Sequence, residues 1–241
     1  MKRLKQGFNQ CWTGFSYRHP QYMGATDDRV QALAVLAGIA DSSKYDAITK
    51  VLKTQQFSSP YMEKYVMEAL FKMGQGEYGM QRFQKRFAAM VNEQDIPTLY
   101  ELWNARKNDY RGGSSNHAWS GGGLTVIAQK LMGAEVLELQ WRTFKIDPQY
   151  VVLREAQLSF PTMSGTISTS LKKEDKALHI SVGVPVKSKA LVYIPTTDVE
   201  KITINGKQIK AKNIVTEPQY IQNGKTAVWL NQGNHKIVVS Y

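Results

Sequence analysis

The residues best suited to chemistry lie in one long connection, between about residues 92 and 124. Connections of this length are usually functional or disordered, and this one is not of low complexity. Its candidate site residues are Glu101, Trp103, Asn116, His117 and Trp119. A carboxylate can move a proton, aromatic faces stack on the C–H face of a pyranose, and amide or imidazole groups bind hydroxyls. This combination favours a sugar site.

Other interpretations of this connection stay open or are weaker. The string SGGGLT stands before a helix, as in a phosphate-binding loop, but the lysine of that motif is missing. AWSGG is not a nucleophile elbow, because Ala118 stands where the first glycine belongs. On composition alone, Glu101 can equally be a capping or ion-paired residue and His117 a structural histidine. The two tryptophans can be core aromatics.

The elements around this connection fall into two halves with different periods. Residues 1 to about 133 show helical spacing of apolar residues. From about residue 137 the period changes to two, in short stretches between turn residues. Many short strands without intervening helices favour an antiparallel sandwich. The sequence thus predicts an α+β protein, with a helical domain at 1–135 and a β-sandwich at 136–241.

Local signals predict where several elements begin and end. We expect Thr26 to cap a buried helix, VQALAVLAGIA, and Ser59–Pro60 to begin another that Gly74 ends. Asn205–Gly206 and Asn223–Gly224 predict hairpin turns, because both residue types tolerate positive φ. The first helix is expected to carry the stripe Leu4, Phe8, Cys11, Trp12 and Phe15. A later helix is expected to bury Met80, Phe83, Phe87, Met90 and Val91.

Composition narrows the classes of function. Hydrophobic residues make up 42% of the chain, so a disordered protein is excluded. The four histidines are scattered and offer no metal-ligand spacing, and we predict no metal and no cofactor. A lone Cys11 excludes an internal disulfide. No stretch approaches the roughly 20 apolar residues of a membrane span. The opening MKRLKQGFNQ lacks the apolar core of a signal peptide.

The formal net charge of +11 raises the question of an acidic partner. Lysine and arginine are dispersed along the chain, and the densest helical group is Arg82, Lys85 and Arg86. We interpret this group as a solvated face rather than a phosphate or partner patch. No motif of a nucleic-acid-binding protein is present, so we expect no nucleic acid as partner.

Five strings, taken in order, resemble the closing part of glycoside hydrolase family 78, the α-L-rhamnosidases. They are DDRVQALAVLAGIA, SPYMEKYVMEALFKMG, TLYELW, SSNHAWSGGGLTVIAQKLMG and FKIDPQ. The resemblance runs from about Asp27 to Pro195, and TLYELW with NHAWSGGG is its specific core. It implies the last helices of an (α/α)6 toroid, a trailing β-sandwich, and inverting hydrolysis of terminal α-L-rhamnosides.

The resemblance also implies roles for individual residues. Glu101 is similar to the family's general base, which activates water, and His117 is similar to a histidine that contacts the sugar. Trp103 and Trp119 are implied wall residues, and Asn116 belongs to the same motif as His117. The implied partner is a rhamnose-containing glycan or glycoside.

The sequence departs from this family in one respect. An inverting site needs a second carboxyl group as general acid, roughly 6.5–9.5 Å from the base. In the family that acid lies well upstream, and nothing before Asp27 resembles its segment. About seven helices are predicted here, where the family's toroid has twelve. We therefore expect a fragment that is inactive or weakly active alone.

Two expectations follow about partners and function. An upstream half of the same enzyme, or a second copy of the chain, is expected to cover the apolar faces of an incomplete toroid. The alternative function is a non-catalytic carbohydrate-binding or interaction protein derived from such an enzyme. The compartment stays open, and is periplasmic or extracellular if the parent protein carries a signal peptide.

Overall fold

The computed structural model describes residues 2–95, 97–104, 113–150 and 152–241. The chain divides into two compact units, residues 1–126 and 127–241. This division falls somewhat ahead of the boundary at residue 135 suggested by the change in period, and the assignment of the two domains stays a prediction. Helices make up the first unit and strands dominate the second, which confirms the α+β class.

The described residues contain six α-helices. They are α1 (Lys2–Asn9), α2 (Asp28–Leu36), α3 (Tyr45–Thr54), α4 (Pro60–Lys72), α5 (Gly76–Val91) and α6 (Gly122–Val126). A π-helical turn, Ile127–Leu131, comes next in the chain. Helix α4 begins as predicted, because the Ser59 hydroxyl accepts a hydrogen bond from Met62 N and Pro60 is its first residue. Gly74, with a φ of 75°, follows its end.

Two helix ends differ from the prediction. The cap of α2 is Asp27, whose carboxylate accepts a hydrogen bond from Arg29 N, whereas the Thr26 hydroxyl accepts one from Arg18. A carboxylate offers the exposed N–H groups a charged acceptor, which a hydroxyl cannot. Helix α1 ends at Asn9 and buries none of its residues, so the predicted stripe does not continue to Phe15.

The core of the helical unit lies among α2, α3 and α4. Its fully buried side chains include Val35 of α2, Ile48 and Leu52 of α3, and Val66 and Leu70 of α4. These positions recur at helical spacing, so each helix turns one apolar stripe inward. Helix α5 packs on α4 and carries the residues that support the connection described below.

The second unit contains ten short strands in its described part. They are β1 (Glu135–Val136), β2 (Thr143–Ile146), β3 (Glu155–Thr162), β4 (Gly165–Lys173), β5 (Ala177–Val184), β6 (Lys189–Ile194), β7 (Ile202–Ile204), β8 (Lys207–Gln208), β9 (Thr226–Leu230) and β10 (Gly233–Ser240). Four form a sheet in the order β1-β2-β6-β9, and six form a sheet in the order β3-β4-β5-β10-β7-β8.

Both sheets contribute to one apolar core. Phe144 and Val192 from the four-stranded sheet lie in the same buried cluster as Ile180 and Ile237 from the six-stranded sheet. All pairings are antiparallel except that of β2 with β6, which is parallel. Period-two patterning predicts the strands and their buried faces, but it carries no information on which distant strands pair.

The two Asn-Gly pairs differ in outcome. Asn205–Gly206 joins β7 to β8, and both residues have positive φ, 52° and 74°, so this hairpin prediction is confirmed. Asn223–Gly224 forms a turn in which only Gly224 has positive φ, and no strand directly precedes it. A 3-10 turn, Pro218–Tyr220, stands there instead, so the second hairpin prediction was wrong.

Candidate functional site

TLYELW and NHAWSGGG, the specific core of the resemblance, lie side by side. The Glu101 amide donates to the Ser114 carbonyl at 2.9 Å, and the His117 amide donates to the Leu99 carbonyl at 2.8 Å. Because these are main-chain bonds, the spacing between Glu101 and His117 is set by the backbone rather than by flexible side chains. Most of the intervening residues, 105–112, lie outside the described residues.

This pair of segments is anchored on helix α5 through Tyr100. Tyr100 is buried and packs with Phe87 and Met90 of α5, and its amide contacts Met90 Sδ at 3.4 Å. The Ser120 hydroxyl is also buried and donates to the Tyr100 carbonyl at 2.7 Å. Tyr100 is thus buried, whereas its neighbour Glu101 is partly exposed.

Glu101, Ser114 and His117 form a hydrogen-bonded cluster. The Ser114 amide donates to Glu101 Oε2 at 2.9 Å, and the Ser114 hydroxyl lies 2.8 Å from His117 Nδ1. His117 Nδ1 lies 3.5 Å from the same Glu101 oxygen. Within the described part of the chain, every side-chain contact of Glu101 falls on Oε2. Oε1 makes no hydrogen bond or ion pair within these ranges.

An aromatic row extends from this cluster. The His117 ring lies 4.2 Å from the ring of Trp119, and Trp119 lies 5.0 Å from Tyr61. Tyr61 continues to Tyr65, with centroids 5.7 Å apart and hydroxyls 3.1 Å apart. That hydrogen bond raises the pKa of Tyr65. Trp119 is 46% exposed, so its face can stack on a sugar ring.

The row includes two residues that the sequence analysis missed. Tyr61 and Tyr65 are one helical turn apart near the start of α4, within the string SPYMEKY. Two tyrosines at this spacing are a visible signal, but their contact with Trp119 depends on a connection whose path the sequence does not reveal. Of the predicted residues, Asn116 is exposed and makes no side-chain hydrogen bond within the described ranges.

Trp103 is packed rather than open. Its indole Nε1 donates to the Ser58 carbonyl at 2.7 Å, and the Arg86 guanidinium lies 4.3 Å above its ring. Phe87 contacts the ring edge-on, with centroids 5.0 Å apart. A tryptophan that is bonded, stacked and packed in this way holds its segment in place, and TLYELW is thereby fastened to α5 and to the loop before α4.

A buried ion network lies under this loop. Arg82 is paired with Asp28 at 2.7 Å and with Glu63 at 2.5 Å, and none of the three side chains is exposed. Arg86 pairs with the second Glu63 oxygen at 2.6 Å and donates to the Ser58 carbonyl at 2.8 Å. Two arginines face two carboxylates, so the buried charges compensate.

The network overturns the interpretation of Arg82 and Arg86 as a solvated face. Phe87 and Met90 are buried as predicted, but Gly79 and Arg82 are buried too and Val91 is exposed, so the inner stripe of α5 differs in part from the predicted one. Burial alone would lower the pKa of Arg82, but its bonds to Glu63 and Asp28 raise it. For Arg86, burial lowers the pKa. A periodicity of apolar residues alone cannot detect buried charges.

The glycine run serves close packing at one position. A Cβ on Gly123 would lie 2.2 Å from the Phe83 ring of α5, so no larger residue fits without a shift. This contact explains the glycine without a phosphate ligand. Within the described ranges no group of histidine, cysteine, aspartate or glutamate could hold a metal ion. None of the described helices has the length and apolar character that crossing a membrane requires.

Comparison with known proteins finds one matching sequence family and several solved structures with a similar fold. Residues 135–208 match the family described as bacterial alpha-L-rhamnosidase C-terminal domain. No curated protein matches the chain. The structure of alpha-L-rhamnosidase from Dictyoglumus thermophilum is similar with a TM-score of 0.76 and 18% identity, over 100% of this chain and 28% of that one.

Two further solved structures extend the comparison. Streptomyces avermitilis alpha-L-rhamnosidase, complexed with L-rhamnose, is similar with a TM-score of 0.72 and 14% identity, over 99% of this chain and 24% of that one. The structure of the Aspergillus terreus α-L-rhamnosidase is similar with a TM-score of 0.67 and 18% identity, over 99% of this chain and 26% of that one. The chain thus spans about a quarter of the length of these structures. Residues 135–208 match the C-terminal domain of bacterial α-L-rhamnosidases and the whole chain shares their fold, which confirms the resemblance that its motifs indicate.

Proposed function

We propose that this chain belongs to a glycoside hydrolase of α-L-rhamnosidase type, which cleaves terminal α-L-rhamnosides with inversion. Glu101 is the general base that takes a proton from the attacking water. His117 and Asn116 bind sugar hydroxyls, and Trp119 forms a wall of the site. Trp103 contributes to that wall and fastens the base-carrying segment.

One observation carries the proposal. Glu101 has one oxygen, Oε2, held by the Ser114 amide beside His117, while Oε1 takes no hydrogen bond from the described residues. An amide donor fixes the carboxylate without transferring a proton to it, so the carboxylate stays a base. An exposed indole lies next to the imidazole, where a pyranose ring can stack.

We propose further that the general acid does not lie in the described part of the chain. Four aspartates could take the place of the missing general acid by their position in the sequence: Asp27, Asp28, Asp95 and Asp109. Asp28 is buried and paired with Arg82, so it cannot reach a glycosidic oxygen. The hydrogen bond from Arg29 lowers the pKa of Asp27, so that group is ionised where an acid must be protonated. Asp95 is exposed and makes no polar contact with Glu101, Ser114 or His117 within the described ranges, and Asp109 lies outside those ranges.

The six helices are proposed to form part of an (α/α)6 toroid, completed by an upstream half of the enzyme or by a second copy. Several large apolar side chains on the helical unit support this proposal. The exposed ones include Leu4, Phe8, Phe15, Met23, Leu33, Phe57, Val91 and Leu124. Exposed apolar residues in this number are typical of surfaces that meet a partner. Light scattering should detect self-association, and a monomer at high concentration that binds no hydrophobic dye would contradict it.

The test of function is turnover of two rhamnosides that differ in leaving group. An activated aryl rhamnoside needs little acid assistance, whereas a natural rhamnoside needs an acid worth about 10²–10⁴-fold in rate. We expect slow turnover of the aryl substrate alone, and turnover of both after addition of an upstream fragment that supplies the acid. Proton NMR of the first-formed sugar should show the inverted anomer. Full activity of the lone chain on the natural substrate would contradict the missing acid.

A non-catalytic carbohydrate-binding protein is the second candidate, and the exposed Trp119 beside His117 favours it. The same experiment separates the two. Calorimetric binding of rhamnose without any turnover, even with the upstream fragment present, would support binding alone and reject the hydrolase.

A further inference from the structure

A groove of about 450 Å³ lies on the second unit and is lined by residues of both sheets. The β7–β8 hairpin and the segment after it contribute one part of the lining. Strand β9 of the other sheet contributes another part, with Trp229 among its residues. The groove is built entirely from residues 204–235 and does not involve the cluster around Glu101.

One wall of the groove carries an unusual concentration of positive charge. Lys207, Lys210 and Lys212 are all exposed, and none of them forms an ion pair with any residue in the described ranges. No aspartate, glutamate or arginine lines the groove. The neighbouring carboxylate Asp198 is already paired with Lys201 at 3.8 Å. Three uncompensated ammonium groups within six residues attract a ligand with several negative charges.

The wall is held in a defined shape. Ile209 lies between the lysines, is buried in the sandwich core, and donates its amide to the Ile202 carbonyl at 3.2 Å. The Asn213 side chain accepts the Lys210 amide at 3.1 Å. Asn205, in the hairpin turn, accepts the Lys236 amide at 2.9 Å. The backbone from which the lysines extend is therefore fixed. Asn205 Nδ2 lies 3.4 Å from His235 Nδ1 and keeps its second N–H, and Asn213 Nδ2 donates no hydrogen bond within the described ranges, so both side chains retain a donor.

One aromatic residue also lines the groove. Trp229 is half-buried, and Tyr220 packs edge-on against its ring with centroids 5.6 Å apart. A braced indole and amide groups in one groove are suited to the apolar face and the hydroxyls of a pyranose. The lysines add the capacity to bind carboxylates on the same sugar chain.

We propose that this groove binds an acidic glycan, a chain of pyranoses that carry uronate carboxylates. Trp229 stacks on one ring, the asparagines bind hydroxyls, and the three lysines pair with carboxylates on that and adjacent sugars. Single-stranded nucleic acid fits less well, because its binding grooves stack successive bases on several aromatic rings and follow the backbone with cations along their length. Here the lining contains one indole, and its lysines all lie within residues 207–212.

The test is binding of a defined oligogalacturonide to the full chain, measured by calorimetry at low and physiological salt. The fully methyl-esterified oligomer has the same sugars without the charges, and a single-stranded oligonucleotide of matched length has charges without pyranoses. The test variant replaces Lys207, Lys210 and Lys212 with glutamine. The matched control makes the same change at Lys173, Lys176 and Lys189, three exposed lysines of the same unit outside the groove.

We expect the oligogalacturonide to bind in preference to both comparison ligands, and to weaken at physiological salt. The groove variant should bind about tenfold more weakly, as the loss of several exposed ion pairs predicts, while the control triple variant binds like the wild type. Trp229→Phe, which keeps the packing against Tyr220, should weaken binding of the oligomer further by loss of stacking area. The proposal would be overturned if the oligogalacturonide did not bind, or if the oligonucleotide bound more strongly. An equal loss of affinity in both triple variants would overturn it too.

Discussion

Two glutamates of the helical unit, Glu63 and Glu101, have opposite surroundings. Glu63 is fully buried, and its two oxygens are taken by Arg82 and Arg86. Glu101 is partly exposed, and its contacts in the described ranges come from Ser114 and His117 and reach one oxygen. One carboxylate is saturated by cations and shielded from solvent, and the other is held by few donors and open to it.

This difference separates a carboxylate that maintains a fold from one that can act on a ligand. A buried carboxylate with two arginine partners cannot exchange a proton without leaving buried positive charge uncompensated. A carboxylate fixed on one side by an amide keeps its position and retains an oxygen for water. The surroundings of Glu63 and Glu101 are linked through Ser58. Its carbonyl accepts hydrogen bonds from both Arg86 and the indole of Trp103.

The largest expected effect is on turnover in Glu101→Gln. The amide keeps the shape of the side chain but cannot accept a proton, so turnover of an aryl rhamnoside should fall by about 10²–10⁴-fold. The free energy of unfolding in urea should change by less than about 0.5 kcal/mol, as is usual for exposed sites. A variant with unchanged turnover would remove Glu101 from the chemistry, and one that unfolds would make it a structural residue like Glu63.

The converse change, Glu63→Gln, should destabilise the chain. It leaves two buried arginines with only Asp28 as a negative partner, which should lower the free energy of unfolding by about 3 kcal/mol. The matched control is Glu68→Gln on the same helix, whose pairing with Lys64 is long, at 3.8 Å, and should be worth about 0.5 kcal/mol or less. Similar losses in both variants would contradict a special role for the network.

Trp103→Phe tests the link between the two regions. The phenyl ring keeps most of the packing against Phe87 but loses the hydrogen bond to the Ser58 carbonyl. We expect a loss of about 1 kcal/mol in unfolding free energy, and a fall of several-fold in turnover because the base-carrying segment is less firmly held. Turnover equal to that of the wild type, despite the stability loss, would show that the network does not position Glu101.

The smallest expected effect is on the free energy of unfolding in Glu135→Gln. Glu135 is a third kind of carboxylate, partly exposed and paired with two lysines. Burial tends to raise the pKa of Glu135, but its bonds with Lys130 and Lys145 lower it overall. A folded-state pKa below the unfolded one stabilises the protein above the ordinary carboxyl range, and this contribution is lost as the pH falls. Because Glu135 is partly exposed, we expect a loss of less than about 1 kcal/mol at neutral pH, and a smaller loss as the pH falls below the ordinary carboxyl range. An effect that persists in acid would exclude the ion pairs as its cause.

The sequence predicted those features that depend on near neighbours. Ser59–Pro60 begins α4 and Asn205–Gly206 makes a hairpin, because each signal acts within a few residues. The parallel pairing of β2 with β6 and the pairing of Arg82 with Asp28 join residues far apart in the chain, and no local pattern encodes them. For this reason the arginines of α5 were wrongly interpreted as solvated.

The same distinction holds for the candidate site. Glu101, His117 and Trp119 were predicted from residue type and motif, and the structure brings them into one cluster and row, although their roles stay predictions. Tyr61 and Tyr65 were missed because they meet Trp119 only once α4 and the connection are folded together. Nothing in the pattern of apolar and charged residues along α4 marked these two tyrosines as candidate site residues.

The most direct test of the central claim is the pH dependence of aryl rhamnoside turnover by the lone chain. A site with a base and no acid should give kcat/KM that rises with pH through a single ionisation and then stays level, because no second group must remain protonated. The rise should disappear in Glu101→Gln. A bell-shaped profile, or a rise that persists in Glu101→Gln, would contradict the account, since the first requires an acid within the chain and the second a base other than Glu101.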